Sequence, residues 1–281
     1  MSLTIDLAFI KHYGADVHEA YQRRGSKLRN TIRQRNGIIG KSTTFQKVGK
    51  GTASSKSRHG LVPVMNVEHI PVECLLSDHY AGEWVDKLDE LKTNIDERSV
   101  LINAGAYALG RKTDELIINA LGDATNQVAL NVGGEAEADT GLNRTKCLRI
   151  FEKLAEKDVP MDDGEISVVV APTQWSELMT VKEFSNADYV PAEELPFKGK
   201  GMTAKWWMGM MWMFHTGLPK VGTTRSCFAY HKTALGHASG DEISSDITWH
   251  GDRAAHFVNN MMSQGSVLID NDGIVEILCK E

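Results

Sequence analysis

The first stretch of the chain alternates hydrophobic and polar residues at the spacing of an α-helix. Within residues 4–30 an apolar side chain recurs every four residues, and a run of basic residues follows. This pattern predicts a polar, partly helical arm rather than part of a core. The periodic positions are Ile5, Phe9, Tyr13, Val17 and Tyr21.

Residues 37–63 interrupt the hydrophobic periodicity. The segment is rich in Gly, Ser, Thr, Lys and Arg, and its apolar residues are too sparse to build a core. A loop of this length in a compact domain is usually functional or without fixed structure. We predict a long projecting hairpin, with Gly49 and Gly51 near its tip and a strand that returns over residues 68–76.

A long helix is predicted next along the chain. Asn94 or Asp96 supplies its N-cap, and Gly122 ends it just after Leu121. Small residues fill its middle over residues 103–110, and they allow other backbone to approach closely. Because each glycine there lowers helix propensity by about 1 kcal/mol, tertiary packing is expected to hold this helix.

The remaining pattern mixes helices and strands without an internal repeat. Residues 142–157 predict an amphipathic helix whose buried face carries Leu148, Phe151 and Leu154. The β-branched run at 166–170 predicts a buried strand, a second strand is expected in the apolar stretch at 208–216, and a proline at a first helical turn predicts a helix start. These elements are strands at 166–170 and 208–216, helices from Pro172 and from Lys232, and two paired strands within 254–278 around a turn at 270–273.

Charge divides the chain unevenly. The first sixty residues carry a net charge of about +9, and the remaining 221 carry about −15. A basic segment attached to an acidic body favours assembly, because the body of one copy attracts the basic segment of another. The alternative is that the basic segment binds nucleic acid.

Composition limits the class of protein further. A chain of 281 residues with 42% hydrophobic residues can bury a substantial core in one or two domains. Its four cysteines are far apart, which predicts free thiols. No signal peptide is expected, and the most apolar window, residues 206–214, is much shorter than the roughly 20 residues of a membrane helix. We therefore expect a soluble protein made inside the cell.

Motifs for catalysis or ligand binding are weak. Residues 37–42 lack the spacing of a phosphate loop, and the serine within residues 236–240 is one place late for a nucleophile elbow. A cluster of histidines and acids matches no metal-ligand spacing, so we expect no enzyme, metal or cofactor. An enzyme of unknown type remains a rival with that cluster as its site: His231, His237, Asp241, Glu242, Asp246 and His250.

The aromatic window at 206–214 permits two interpretations. Its tryptophans alternate with methionines near Lys198, Lys200 and Lys205, a composition suited to stacking on single-stranded nucleic acid. A strand packed between layers, or against a partner subunit, is favoured because buried aromatic and methionine side chains most often fill cores.

Several short motifs occur in a characteristic order along essentially the whole chain. They are residues 4–10 and 21–29; then 84–93, 96–99 and 108–114; then 139–143, 159–160, 168–172 with Gln174, and 187–189; and finally 265–270 and 273–277. In this order the motifs resemble the major capsid proteins of tailed bacteriophages with the HK97-like fold.

The resemblance implies an α+β, HK97-like capsid fold in four parts. An N-terminal arm would cover residues 1–35, and an extended β-hairpin loop would cover residues 36–76 and lie across an adjacent subunit. A peripheral domain would combine residues 77–130, including a spine helix at about 95–121, with residues 251–281. An axial α/β domain would cover residues 131–250.

The resemblance also implies a structural function rather than an enzymatic one. The chain would self-assemble, as hexamers and pentamers, into the icosahedral head shell that encloses double-stranded DNA. Scaffolding and portal proteins, optional decoration proteins and non-specifically held DNA would be its partners, with no membrane. It would reside in the virion, and in the host cytoplasm before assembly. The family's lysine–asparagine crosslink does not transfer, because no motif marks an acceptor, so noncovalent strapping is expected.

Basic side chains in and before the extended loop are the expected inter-subunit contacts, paired with acidic surface on a neighbour. An exposed ion pair contributes only about 0–1 kcal/mol, so many copies must act together. A nucleic-acid-binding protein that uses the same basic segment is the alternative function. The contact residues are Arg33, Arg35, Lys41, Lys47, Lys50, Lys56 and Arg58.

Overall fold

A computed structural model of the chain describes residues 25–90, 97–134, 138–186, 204–240 and 243–281. The predicted arm helix up to residue 24, the caps Asn94 and Asp96, and Lys198 and Lys200 lie outside these ranges. The helices are α1 (Lys87–Glu90), α2 (Glu97–Gly122), α3 (Arg144–Glu156), α4 (Pro172–Thr180) and α5 (Lys182–Ser185).

Fourteen strands are found in the described ranges. They are β1 (Arg33–Arg35), β2 (Ser42–Val48), β3 (His69–Leu75), β4 (Ser77–Asp86), β5 (Gln127–Val128), β6 (Ile166–Val170), β7 (Lys205–Trp207), β8 (Met210–Phe214), β9 (Lys220–Val221), β10 (Thr224–His231), β11 (Leu235–Ser239), β12 (Ser244–His250), β13 (Ala255–Leu268) and β14 (Ile274–Lys280).

The chain forms two compact units, the first of which includes Asp78–Lys112 and Asp241–Ser263. There β4 and β12 both pair with the first part of β13, with Ser244 opposite Met261 and His250 opposite Ala255. The N-terminal part of α2 approaches these strands at Gly105, which lies next to Asn260 of β13.

Gly105 lets α2 approach that sheet closely. A β-carbon at residue 105 would lie 2.1 Å from Nδ2 of Asn260, a buried side chain that donates to the carbonyl oxygen of Ala81 at 3.3 Å. The prediction that small residues in this helix permit close approach is therefore confirmed.

The second unit consists of Lys27–Ser77, Thr113–Gly240 and Gln264–Glu281. Its larger sheet has the order β5-β14-β10-β6-β8-β7, with β9 paired to β10. All five residues of β6 are buried, as the β-branched run predicts, and Pro172 occupies the first turn of α4. In the same unit β1 pairs parallel with β11, which pairs antiparallel with the end of β13.

The helix α3 is present, but its predicted buried face is wrong. Leu148 and Phe151 are 43% and 40% exposed. The buried face follows Lys146, whose Nζ donates to the carbonyl oxygens of Leu130, Thr140 and Leu278 at 2.7–3.0 Å. An ammonium satisfied by backbone oxygens can lie inside, although burial lowers its pKa. The buried residues of α3 are Lys146, Cys147, Ile150 and Leu154.

Two predictions near the end of the chain are also wrong. β13 and β14 belong to different sheets, because Asn271–Gly273 forms a 3₁₀ turn in which Asp270 accepts the N–H of Asp272. The helix expected from Lys232 is a single 3₁₀ turn, Lys232–Ala234, that leads directly into β11.

The two units divide the chain at other positions than the four predicted parts, and that four-part division remains a prediction. None of the helices within the described ranges is long and apolar enough to cross a membrane.

Candidate functional site

An extended hairpin carries most of the basic residues that the sequence singles out. β2 and β3 pair from Ser42 opposite Leu75 to Val48 opposite His69. The backbone N–H of Gly49 donates to the carbonyl oxygen of Glu68 at 2.8 Å, which closes the ladder. Gly49 therefore lies at the base of loop 49–68 and not near its tip, which corrects the prediction.

Two of the predicted contact residues support the hairpin within the same subunit. The guanidinium carbons of Arg33 and Arg35 lie 5.7 Å and 5.4 Å from the centre of the Phe45 ring. Arg35 also donates to the carbonyl oxygen of Thr44 at 2.9 Å. Phe45 is fully buried, so these cation–π contacts fix the start of the hairpin.

Two further contact residues pair with acids of their own chain. Nζ of Lys47 lies 2.7 Å from Oδ1 of Asp270, and Nζ of Lys50 lies 2.8 Å from Oδ2 of Asp158. The hydrogen bond that Lys50 donates to Asp158 raises the pKa of Lys50 and lowers the pKa of Asp158. Because both side chains of the second pair are largely exposed, it contributes little to stability.

The side chains of the other three contact residues are exposed, and they form no hydrogen bond or ion pair with any residue in the described ranges. They are Lys41, Lys56 and Arg58. Lys56 and Arg58 stand together in loop 49–68, at a turn in which Gly60 donates to the carbonyl oxygen of Ser57. The seven predicted residues thus divide into four that have partners within their own subunit and three that do not.

An apolar segment follows that turn, and the sequence analysis missed it. Leu61, Val62, Val64 and Met65 are 95%, 72%, 81% and 56% exposed. We call residues 61–65 the apolar tip segment. Its signal in the sequence is a run of five apolar residues inside a polar loop, which an average over residues 37–63 hides.

The first unit presents an open sheet face, on the side of β4, β13 and β12 opposite α2. Gly82 and Trp84 of β4 lie against Phe257 of β13; the rings of Trp84 and Phe257 are 4.6 Å apart. Beside them is a shallow depression of about 180 Å³, and Tyr80 at its edge is 66% exposed. Its lining residues are Asp78, Tyr80, Ser244, Met261, Met262 and Ser263.

One cluster within the described residues offers metal-ligand atoms at suitable distances: Asp163, Glu165 and His231, all within 4.8 Å of one another. These atoms already have partners. Nε2 of His231 lies 2.8 Å from Asp163, and Glu165 pairs with Lys232 at 2.7 Å. A cation would have to displace both interactions, including an ammonium, so the cluster does not fit a metal well.

The described members of the predicted cluster each have local partners of their own. His237 is buried, its Nδ1 lies 2.9 Å from Ser266 Oγ, and burial lowers its pKa to about 4. Asp246 accepts from Thr248 at 2.8 Å, and His250 stacks edge-on against Trp84. Asp241 and Glu242 lie outside the described residues.

The remaining motifs fall into ordinary structural positions. Residues 37–42 connect β1 to β2 without a following helix, and residues 236–240 run along β11. In the aromatic window, Met210 and Trp212 are fully buried in the larger sheet, which confirms the core interpretation. Lys205 is buried there and donates to the carbonyl oxygen of Phe184.

Comparison with solved structures gives the fold. The capsid structure of cyanophage P-SCSP1u superposes with a TM-score of 0.72 at 16% identity, covering 97% of this chain and 93% of that one. A chain of Mycobacterium phage Che8 superposes with a TM-score of 0.72 at 15% identity, covering 96% of this chain and 97% of that one. The capsid of Ralstonia phage GP4 superposes with a TM-score of 0.72 at 13% identity, covering 97% of this chain and 95% of that one.

Comparison of the sequence with family models gives the family. No curated protein matches the sequence. A family model described as phage capsid protein matches residues 5–281, which is nearly the whole chain. The chain therefore belongs to the phage capsid protein family, as a major capsid protein with the HK97-like α+β fold that assembles with copies of itself into the head shell.

Proposed function

We propose that this subunit encloses double-stranded DNA in an icosahedral shell of hexamers and pentamers, and that its extended hairpin lies across the adjacent subunit. One observation carries the strapping role: loop 49–68 presents Lys56 and Arg58 to solvent, and their side chains form no hydrogen bond or ion pair with the described part of their own chain.

The charge distribution supports a neighbouring subunit as the partner of this loop. The chain beyond residue 60 carries a net charge of about −15, and an acidic body attracts a basic loop while it repels a nucleic acid. Each exposed pair contributes at most about 1 kcal/mol, but a closed shell repeats the same contact in every subunit. Affinity for DNA is secondary in this proposal.

The proposal includes the four-part division of the chain. Residues 1–35 are an arm, residues 36–76 the strapping loop, residues 77–130 with 251–281 a peripheral domain, and residues 131–250 an axial domain. The role is structural, without enzyme activity. Scaffolding and portal proteins, with optional decoration proteins, act as partners, and the subunit resides in the host cytoplasm before assembly.

Negative-stain electron microscopy of the expressed full chain, with and without its neighbouring genes, tests the proposal. We expect round shells from the wild-type chain. The double variant Lys56→Glu/Arg58→Glu should give soluble subunits that do not close shells. The matched control Lys182→Glu/Lys280→Glu changes net charge equally at two exposed residues outside the loop, and it should still assemble.

Two results would contradict this function. Normal shells from the loop variant would exclude strapping by these cations. Small oligomers of the wild-type chain that bind DNA with a steep salt dependence, and never form large particles, would instead favour a nucleic-acid-binding protein.

A further inference from the structure

We propose that Asn36, in the link between β1 and β2, is a site of spontaneous covalent modification, at which the side-chain amide is lost as ammonia and a carboxylate takes its place. The reaction uses only water and the backbone nitrogen of Gly37, and Arg29 activates it. It goes beyond the structural role of the subunit, because it changes the charge and the main chain of the segment that enters the extended hairpin.

The backbone that follows Asn36 is open to this reaction. Gly37 has a φ of +69°, and a β-carbon built there would meet nothing within 4 Å. Its N–H group donates no hydrogen bond to the described part of the chain. A glycine also permits the backbone rotation that brings its nitrogen towards Cγ of Asn36. The attacking atom is therefore neither screened by a side chain nor held by an acceptor.

The amide of Asn36 is exposed and polarised. Nη2 of Arg29 donates to Oδ1 of Asn36 at 3.2 Å. A cationic donor on a carbonyl oxygen stabilises the negative charge that develops there when a nucleophile attacks the carbon. The same contact restricts rotation of the amide, so fewer orientations compete with the reactive one. Arg29 therefore makes Cγ of Asn36 a better electrophile than the amide of an isolated asparagine.

The chemistry consists of two steps that balance without an oxidant or a reductant. The backbone nitrogen of Gly37 bonds to Cγ of Asn36, and Nδ2 leaves as ammonia with the proton that this nitrogen loses. Water then opens the cyclic imide by breaking one of the two bonds between its nitrogen and a carbonyl carbon. Breaking the new bond gives aspartate. Breaking the original peptide bond gives isoaspartate, in which the main chain runs through the former side chain.

The two products affect the entry to the hairpin differently. β1 ends with Arg35 opposite Ala238, and the N–H of Ile38 donates to the carbonyl oxygen of Ser239 at 3.2 Å. Aspartate keeps the length of chain between these two anchors, and it forms a charge-assisted hydrogen bond with Arg29. Isoaspartate adds one main-chain carbon between the anchors, so the register of β1 with β11 cannot extend to Ile38.

Other asparagines of the same chain provide internal controls. The sequence contains a single Asn–Gly pair, Asn36–Gly37. Asn66 and Asn131 are also exposed, and each is followed by a valine. A β-branched side chain restricts rotation and crowds the approach of its own backbone nitrogen to the preceding amide. Asparagine is a thermolabile residue in general, but these two should react much more slowly than Asn36.

Mass spectrometry of the aged full chain tests the site. The chain is incubated at mildly alkaline pH in water enriched in heavy oxygen, which marks conversion during the incubation, and is then digested in ordinary acidic water. We expect at least about tenfold more converted Asn36 than converted Asn66 or Asn131. Conversion of Asn36 no faster than that of the other two would overturn the proposal.

The variant Arg29→Gln tests the activating contact. In the folded chain it should lower the rate of conversion at Asn36 about threefold or more and leave the rate at Asn66 unchanged. In urea the contact is absent, so the unfolded wild-type and variant chains should convert at equal rates. Equal rates in the folded chains, or a difference that persists in urea, would contradict activation by Arg29. The variant Asn36→Gln needs a larger ring and should gain no heavy oxygen at residue 36, which confirms the assignment of the signal.

Discussion

Nε2 of His215 lies 3.0 Å from Oδ2 of Asp114, and both side chains are buried. Nδ1 of His215 accepts the backbone N–H of Gly217 at 3.0 Å, so Nε2 carries the proton and donates to the carboxylate. Asp114 also accepts the backbone N–H groups of Lys27 and Leu28 at 3.1–3.2 Å. One carboxylate on α2 thus fixes the segment that leads into β1.

Replacing Asp114 by asparagine should destabilise the subunit by about 2–4 kcal/mol. The amide keeps one acceptor oxygen, but its NH₂ group faces backbone donors and leaves buried N–H groups without a partner. Urea unfolding of the full chain, followed by circular dichroism, measures the loss. Asp123→Asn changes an exposed acid just beyond α2 and should remain within about 0.5 kcal/mol of the wild type. Equal effects of the two substitutions would contradict the role of Asp114.

The N-cap of α3 gives a second prediction. Oδ1 of Asn143 accepts the N–H of Lys146 at 2.8 Å, and Nδ2 donates to the carbonyl oxygen of Val132 at 3.0 Å. Asn143→Ala removes both hydrogen bonds and should cost about 1–2 kcal/mol. Asn143→Ser keeps a capping oxygen and should cost about half as much. Thermal unfolding of the three chains should rank them wild type, serine, alanine, and an alanine variant as stable as the serine variant would contradict the capping role.

The sequence predicts an element correctly where neighbouring residues alone determine its structure. A run of β-branched residues predicts β6, and a proline at a first helical turn predicts the start of α4. The glycine-rich middle of α2 predicts a close approach, which Gly105 makes to Asn260. The order of short motifs predicts the capsid fold, because these motifs are distributed over essentially the whole chain.

Features decided by distant partners were not predictable in the same way. Leu148, Phe151 and Leu154 share a helical face, but only Leu154 is buried. The helix instead buries the face of Lys146, because the ammonium group donates to three buried backbone carbonyl oxygens. Strand pattern predicts that residues 255–268 and 274–280 are extended, but it does not identify their neighbours. The sequence does not show which basic residues near the loop have a partner in their own chain. The structure shows that Lys47 pairs with Asp270, whereas the side chain of Lys56 has no such partner among the described residues.

Two glycines of α2 should respond differently to the same substitution. A β-carbon at Gly110 would lie 2.6 Å from the Cα of Gly25, whereas one at Gly122 would meet nothing within 4 Å. In a helix interior alanine is favoured over glycine by about 1 kcal/mol of helix propensity; this applies to Gly110, and the gain is smaller at Gly122, the last residue of α2. At residue 110 the backbone must move to relieve the overlap, at a cost of about 1–3 kcal/mol that exceeds the gain.

Equilibrium urea unfolding of Gly110→Ala and Gly122→Ala tests this contrast. We expect a lower midpoint for the first variant and an unchanged or higher midpoint for the second. A stabilised Gly110→Ala chain would show that α2 does not depend on contact with the residues around Gly25.

The last prediction concerns acid sensitivity at Glu281. Its carboxylate lies 2.8 Å from Lys220 and 2.7 Å from Arg225, and it accepts the hydroxyl of Thr173 at 2.6 Å. The hydrogen bond from Lys220 contributes most to lowering the pKa of Glu281 from 4.5 to about 2. A folded-state pKa below the unfolded value stabilises the fold above pH 4.5, and this contribution is lost as the pH falls towards 2.

Glu281→Gln should therefore cost about 1–2 kcal/mol at pH 7, and the gap to the wild type should close as the pH falls. Urea unfolding of both chains at pH 7, about 4 and about 3 measures the gap through the titration window. Glu156→Gln, an exposed glutamate at the end of α3, is the control and should show no such pH dependence. A gap that stays constant down to about pH 3 would mean that the Glu281 ion pairs do not contribute to stability, since a glutamate with its pKa depressed by those pairs must lose their contribution on protonation.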